Sequence, residues 1–174
     1  AFTNAGDASG DCIVKWDGSS LSSLGLGIPA DAVFAIAIEP ATGDVYVGGS
    51  FAAAGGVANT AYIAYWDISA SVWKPLSTGL SSTVRSLAFA PNGDLYIGGA
   101  FTNADGANGN YICYWDGTAF NMLGDVELSG FVYDLTFDKN GILYVGGAFT
   151  DAGGDSDADY MAKWDKLRAC STVY

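Results

Sequence analysis

The chain has 174 residues, half of them hydrophobic, with 7 basic and 19 acidic residues, no histidine and a formal net charge of −12. An acidic surface is repelled by phosphate, which excludes nucleic acid and anionic membrane surfaces as partners. The longest apolar stretches are about ten residues and are broken by Gly, Asp or Pro, about half of what a membrane-spanning helix needs, so membrane insertion is excluded too. Only 15% of residues are charged and 24 are glycine. This lysine-poor texture points to an extracellular or cell-surface protein.

The first predicted elements lie in residues 1–27, which supply two short strands. One ends Cys12-Ile13-Val14-Lys15-Trp16-Asp17, and the other is Leu21–Leu24. The chain starts inside a repeat, directly after the place where a glycine pair stands in later copies. That reads as a processed mature chain or a piece of a longer one. Three units of four predicted strands follow, over 33–76, 84–123 and 132–174.

In each unit the first strand alternates apolar with small or polar residues: Val33–Ile38, Val84–Phe89 and Val132–Phe137. A turn comes next, at Ala41-Thr42-Gly43, Pro91-Asn92-Gly93 or Lys139-Asn140-Gly141. Asn-Gly is a hairpin signal because both residues accept positive φ. The second strand carries a glycine pair: Gly48 and Gly49, Gly98 and Gly99, Gly146 and Gly147. Glycine inside a strand marks a place where backbone or a neighbouring strand comes close.

A phenylalanine follows each pair (Phe51, Phe101, Phe149), and Phe2 fills the same slot at the start. After a loop rich in Ala, Gly, Asn and Asp, the third strand ends in Trp66-Asp67, Trp115-Asp116 or Trp164-Asp165. The aspartate opens a turn by bonding its own backbone. The fourth strands are Val72–Leu76 and Phe120–Leu123. The last unit ends in Leu167–Tyr174, which departs from the pattern.

The repeated tryptophans Trp16, Trp66, Trp115 and Trp164 are 50, 49 and 49 residues apart, and a period near fifty suits a propeller blade. The expected fold is all-β: a single array over 1–174 of four-stranded blades, roughly three and a half in number. That number leaves open edges, which invite another chain. The tryptophans and glycine pairs are expected to form the structural repeat core between blades, ahead of a sugar-stacking role.

The run from Val45-Tyr46-Val47-Gly48-Gly49 through Tyr65-Trp66-Asp67 to Trp73-Lys74-Pro75-Leu76 resembles the kelch repeat. Together with the Gly-Gly-x-Phe elements it is similar to kelch-like β-propeller repeats of bacterial, phage and fungal cell-surface proteins. The resemblance covers nearly the whole chain. It implies blades packed face to face around an axis, with glycan or protein ligands at loops. In galactose-oxidase-like members it implies a copper site built on histidines, which this chain lacks.

Of the three cysteines, Cys113 takes the slot of Val14, Ala64 and Ala162 and is expected to be buried. Cys12 and Cys170 are the possible cross-link. Asp155, Asp157 and Asp159 alternate as a candidate calcium site, since hard cations take several oxygen ligands, although the same spacing suits a solvated acidic loop. No other cofactor is expected, and with no histidine base or phosphate loop, no enzyme.

The functional expectation is a non-catalytic extracellular structural or adhesive propeller that completes its fold by self-association. Two chains of three and a half blades make seven, or head-to-tail contacts propagate a filament. The alternative is a lectin-like or protein-binding module, or a fragment of a larger surface protein.

Overall fold

The computed structural model describes residues 12–29, 31–124, 128–165 and 168–171. Phe2 falls outside them. The regular structure of the described residues is β-strand apart from one 3-10 turn. The first two strands, β1 (Val14–Trp16) and β2 (Leu21–Ser23), form a two-stranded sheet. The first four-stranded sheet holds β3 (Val33–Ile38), β4 (Val45–Gly49), β5 (Ile63–Asp67) and β6 (Val72–Lys74). The second holds β7 (Val84–Phe89), β8 (Leu95–Gly99), β11 (Ile112–Trp115) and β12 (Phe120–Asn121). Between β8 and β11 the loop folds into a small hairpin of β9 (Asn103–Ala104) and β10 (Ala107–Asn108). The third sheet holds β13 (Val132–Phe137), β14 (Leu143–Gly147), β15 (Met161–Asp165) and β16 (Arg168–Ser171). A single 3-10 turn at Ala152–Gly154 interrupts the loop before β15.

Every neighbouring pair within these sheets is antiparallel, sequential except where the β9–β10 hairpin separates β8 from β11, and the register repeats. Val45 faces Trp66, Leu95 faces Trp115 and Leu143 faces Trp164. Each first strand carries a bulge near its start, between Val33 and Ala35, Val84 and Ser86, and Val132 and Asp134. A bulge bends the strand and increases its twist, and the innermost strands β3, β7 and β13 lie side by side.

The hairpin turns correct the expectation of paired positive φ. Only the glycines take it: Gly43, Gly93 and Gly141 have φ of 81°, 94° and 78°. Ala90 accepts from the Gly93 N–H and donates to the Asp94 carbonyl, and Asp138 does the same with Gly141 and Ile142. This is a type I turn closed by a left-handed glycine. Pro91 enforces it, because its ring locks φ in the negative range that the turn's first central position needs.

Apolar side chains fill the spaces between sheets. Tyr46 and Ile63 pack with Val84, Leu87 and Ile97, while Tyr96 and Ile112 pack with Val132, Leu135 and Val145. On the other side of the first four-stranded sheet, Val47, Ala64 and Trp73 pack with Ile13, Leu24 and Ile28. Phe51, Phe101 and Phe149 are wholly buried.

Candidate functional site

The two glycines of each pair have different neighbours. A Cβ on Gly48 would overlap Val84 Cγ1, and one on Gly98 would overlap Val132 Cγ1. The first glycine therefore lets the next sheet's valine come close. A Cβ on Gly49, Gly99 or Gly147 would instead overlap the carbonyl oxygen of Ala32, Thr83 or Phe131, just ahead of its own sheet's first strand. Gly146 is the exception, with nothing nearer than Tyr160 O at 3.9 Å, because no described sheet follows it.

Trp66, Trp115 and Trp164 pack against the core clusters from their margins. Trp66, Trp115 and Trp164 are only half-buried, and Trp16 is 60% exposed. Trp66 reaches the preceding two-stranded sheet at Gly25 and Leu24, and Trp164 reaches the preceding sheet at Tyr96. Trp66 and Trp115 pack edge-on against Trp73 and Phe120 of the fourth strand. Trp73 is the buried indole. Its Nε1–H donates to the Leu24 carbonyl at 2.8 Å and ties the two-stranded sheet to its neighbour. Of the tyrosines, Tyr96 and Tyr46 are buried and Tyr144 is half-buried.

A further repeated feature escaped the sequence. Cys12, Tyr62, Tyr111 and Tyr160, each just before a third strand, all have φ between 59° and 67°. Side chains with a Cβ rarely adopt this conformation. A bonded pair holds it: the Tyr62 N–H donates to Phe51 O, and Tyr62 O accepts from Gly49 N–H, with the same pair at Tyr111 and Tyr160. An aromatic side chain carries no sequence signal for positive φ.

The acidic residues serve as turn caps. Asp17 accepts the backbone N–H groups of Ser19 and Ser20, each at 2.8 Å. Asp116 accepts those of Thr118 and Ala119, also at 2.8 Å. Asp67 accepts the Ala70 N–H and pairs with Lys74 Nζ at 2.6 Å. Their pKa values are held well below the ordinary carboxylate range. The leading causes are the Ser20 N–H for Asp17, the Lys74 ammonium for Asp67 and the Thr118 hydroxyl for Asp116. A carboxylate held this way is a poor proton carrier.

Asp155, Asp157 and Asp159 are not gathered around one point. Asp155 caps the Asp157 N–H at 3.0 Å, and Asp159 accepts the Asp151 N–H at 3.1 Å. Among the described residues no group of three His, Cys, Asp or Glu is placed to hold a metal ion. Alternation along an extended strand would align the three carboxylates, but this loop turns between them. Burial pushes the Cys113 thiol well up, leaving it inert. The Cys12 sulfur lies 3.3 Å from the Asp31 carbonyl, and the Cys170 side chain lies outside the described residues.

An exposed apolar groove lies on the leading face of the first four-stranded sheet. Ile36 and Ile38 of β3 are each 54% exposed beside a groove of about 460 Å³, walled by β1, Leu24 and Trp66. In the later sheets the register puts Leu87 and Leu135 in the slot of Ile36, and these are 9% and 4% exposed. On the axial side, the Arg85 guanidinium lies 5.9 Å from the ring centre of Phe34 and 5.4 Å from that of Tyr133.

Four-stranded antiparallel sheets stacked through their innermost strands define a β-propeller domain. The family described as the Rax2 C-terminal beta propeller domain matches residues 19–95 and 82–166, and the chain belongs to it. No curated protein matches. Among solved structures, the chain is similar to the extracellular domain of a one component system from B. thetaiotaomicron, at 13% identity and a TM-score of 0.57. It is likewise similar to the extracellular domain of a hybrid two component system from B. thetaiotaomicron, at 14% identity and 0.56. Each match covers 90% of this chain and 18% of the other, so the chain spans less than a fifth of those structures. At such identity the likeness is one of fold.

Proposed function

We propose that this chain is a non-catalytic structural or adhesive propeller of the cell exterior, and that it works by association at its open leading face. The carrying observation is Ile36, 54% exposed where its counterparts Leu87 and Leu135 are buried by a preceding sheet. An apolar face of this kind gains free energy when a partner covers it. The acidic residues support the non-catalytic reading, since Asp17, Asp67 and Asp116 are engaged as turn caps. The lysine-poor composition supports the extracellular reading, as do the extracellular domains among proteins of similar fold.

Another copy is the partner to test first, in a dimer or a filament. Sedimentation velocity over a concentration series should show species heavier than a single chain, and Ile36→Asp should shift them toward the monomer. A monomer alone at every concentration, with a cooperative melt, overturns self-association.

A further inference from the structure

At its bulge, each first strand carries a residue that has no partner on the second strand. These residues are Phe34, Arg85 and Tyr133, which stand between the shifted pairs at Val33 and Ala35, Val84 and Ser86, and Val132 and Asp134. A bulge leaves its extra residue unpaired and re-aims its side chain. Because β3, β7 and β13 stand side by side, the three side chains meet on the axial side. All three are exposed, whereas the valines just before Arg85 and Tyr133 are wholly buried. Packing therefore accounts for the valines and not for the bulge residues, which change from phenylalanine to arginine to tyrosine along the array.

Arg85 is held by rings and by nothing else that is described. Its guanidinium lies 5.9 Å from the centre of the Phe34 ring and 5.4 Å from that of Tyr133. A ring face attracts a cation out to about 6 Å. That attraction uses the charge and leaves the N–H donors available. Among the described residues no carboxylate pairs with Arg85 and no oxygen accepts from its side chain. Asp134, beside Tyr133, is engaged elsewhere: its Oδ1 accepts from Ser86 Oγ at 2.7 Å and from the Leu135 N–H at 2.9 Å.

An exposed guanidinium between two rings is a site for an anion, and its surroundings select the kind. The planar fork of arginine takes a carboxylate through two parallel N–H bonds. A multiply charged anion meets one countercharge here and the field of 19 acidic residues, so a ligand with a single charge is favoured. The exposed faces of Phe34 and Tyr133 are rigid and apolar, and suit the C–H face of a second ring.

We infer that Phe34, Arg85 and Tyr133 form a binding site for a uronate, an acidic sugar that combines one carboxylate with one C–H face. The carboxylate accepts from the Arg85 N–H groups, and the pyranose ring lies against the aromatic faces. The choice of a sugar rests on the reading of the chain as a protein of the cell exterior. The site itself is separate from the leading face and does not depend on association there.

The probes are methyl glucuronide, methyl glucoside, which lacks only the carboxylate, and acetate, which lacks the ring. Each is titrated into the full 174-residue protein and followed by nuclear magnetic resonance. The chain has two arginines, Arg85 and Arg168, so the side-chain Nε–H signal lost in Arg85→Gln identifies Arg85. That signal should shift to saturation with the glucuronide, and the glucoside and acetate should each bind at least about tenfold more weakly. Followed on backbone amides, Arg85→Gln should lose binding by at least the same factor, and Arg85→Lys should weaken it, because an ammonium keeps the charge without the fork. Phe34→Ala with Tyr133→Ala should weaken it while Arg85 is in place, and Lys139→Gln, an exposed cation elsewhere, should not. These side chains are exposed, so the melting temperatures should not change. Equal affinity for the glucoside, unchanged affinity in Arg85→Gln, or no binding overturns the inference. Equal affinity for acetate or for an acetylated glutamate amide assigns the site to carboxylates without a sugar ring and also overturns it. A monomer that binds the glucuronide disproves self-association alone, and an assembly that does not bind it disproves the site alone.

Discussion

Replacing Gly98 by alanine adds a single methyl group at the point where two sheets are closest. Its Cβ would lie 2.9 Å from Leu135 Cδ2 and 3.1 Å from Val132 Cβ, and would overlap Val132 Cγ1. Ordinary contact begins at 3.4 Å, so the Leu135 contact by itself forces the side chain or the sheet to retreat, and Val132 demands more. Val132 is wholly buried and β-branched, so it has little rotamer freedom to yield. Overpacking of this sort costs about 1–3 kcal/mol. Gly146→Ala is the internal control, because its methyl group meets nothing closer than 3.9 Å. There the reduced freedom of the unfolded chain should leave stability unchanged or raised by about 0.4–1 kcal/mol. Urea unfolding of both variants gives the midpoints. The double variant Gly98→Ala with Val132→Ala should cost less than the sum of the two single changes, since the smaller side chain relieves the clash. Equal midpoints for Gly98→Ala and Gly146→Ala would refute the claim that the next sheet's valine is what requires glycine.

Three further outcomes are expected. Trp73→Phe leaves the buried Leu24 carbonyl without its donor and should cost about 1–3 kcal/mol, read as a lowered melting temperature; an unchanged melt removes the proposed tie between the sheets. The folded-state pKa values of Asp17, Asp67, Asp116 and Asp138 lie below their unfolded values. Their stabilisation is therefore complete above the ordinary aspartate value of about 3.9 and is lost as pH falls below it, so the melting temperature should hold from pH 7 to about 5 and drop below 4. Asp116→Asn should flatten that drop, and a profile that slopes evenly from pH 7 downward contradicts the assignment. Calcium should leave the melting temperature unchanged, because Asp155 and Asp159 already cap backbone N–H groups; stoichiometric uptake with stabilisation would show the loop rearranging around an ion.

The strands and their order were legible from sequence because they depend on local chemistry repeated in register. Alternating apolar residues at Val84–Phe89, the glycine pair at Gly98 and Gly99, and the aspartate after Trp115 each act within a few residues of themselves. Backbone geometry then leaves few alternatives. The turn type at Pro91-Asn92-Gly93 was also in principle readable, since proline's fixed φ excludes a turn with positive φ at that position.

Exposure was not legible, because it depends on what stands across the interface. Trp16 and Trp66 share a motif, yet Trp16 is 60% exposed while Trp66 is half-buried, for Trp66 has a second strand beside it and, among the described residues, Trp16 has none. Ile36 and Leu87 occupy one slot in two copies of the repeat, and the presence or absence of a preceding glycine-bearing strand decides which is buried. The positive φ at Tyr62, Tyr111 and Tyr160 likewise comes from bonds across the loop, donated to the carbonyls of Phe51, Phe101 and Phe149 and accepted from the N–H groups of Gly49, Gly99 and Gly147, and the tyrosine itself has no preference for it. A repeat encodes its own strands in every copy. Which copy ends with an uncovered face is a property of the stacked array, and that face is where this chain's function is to be sought.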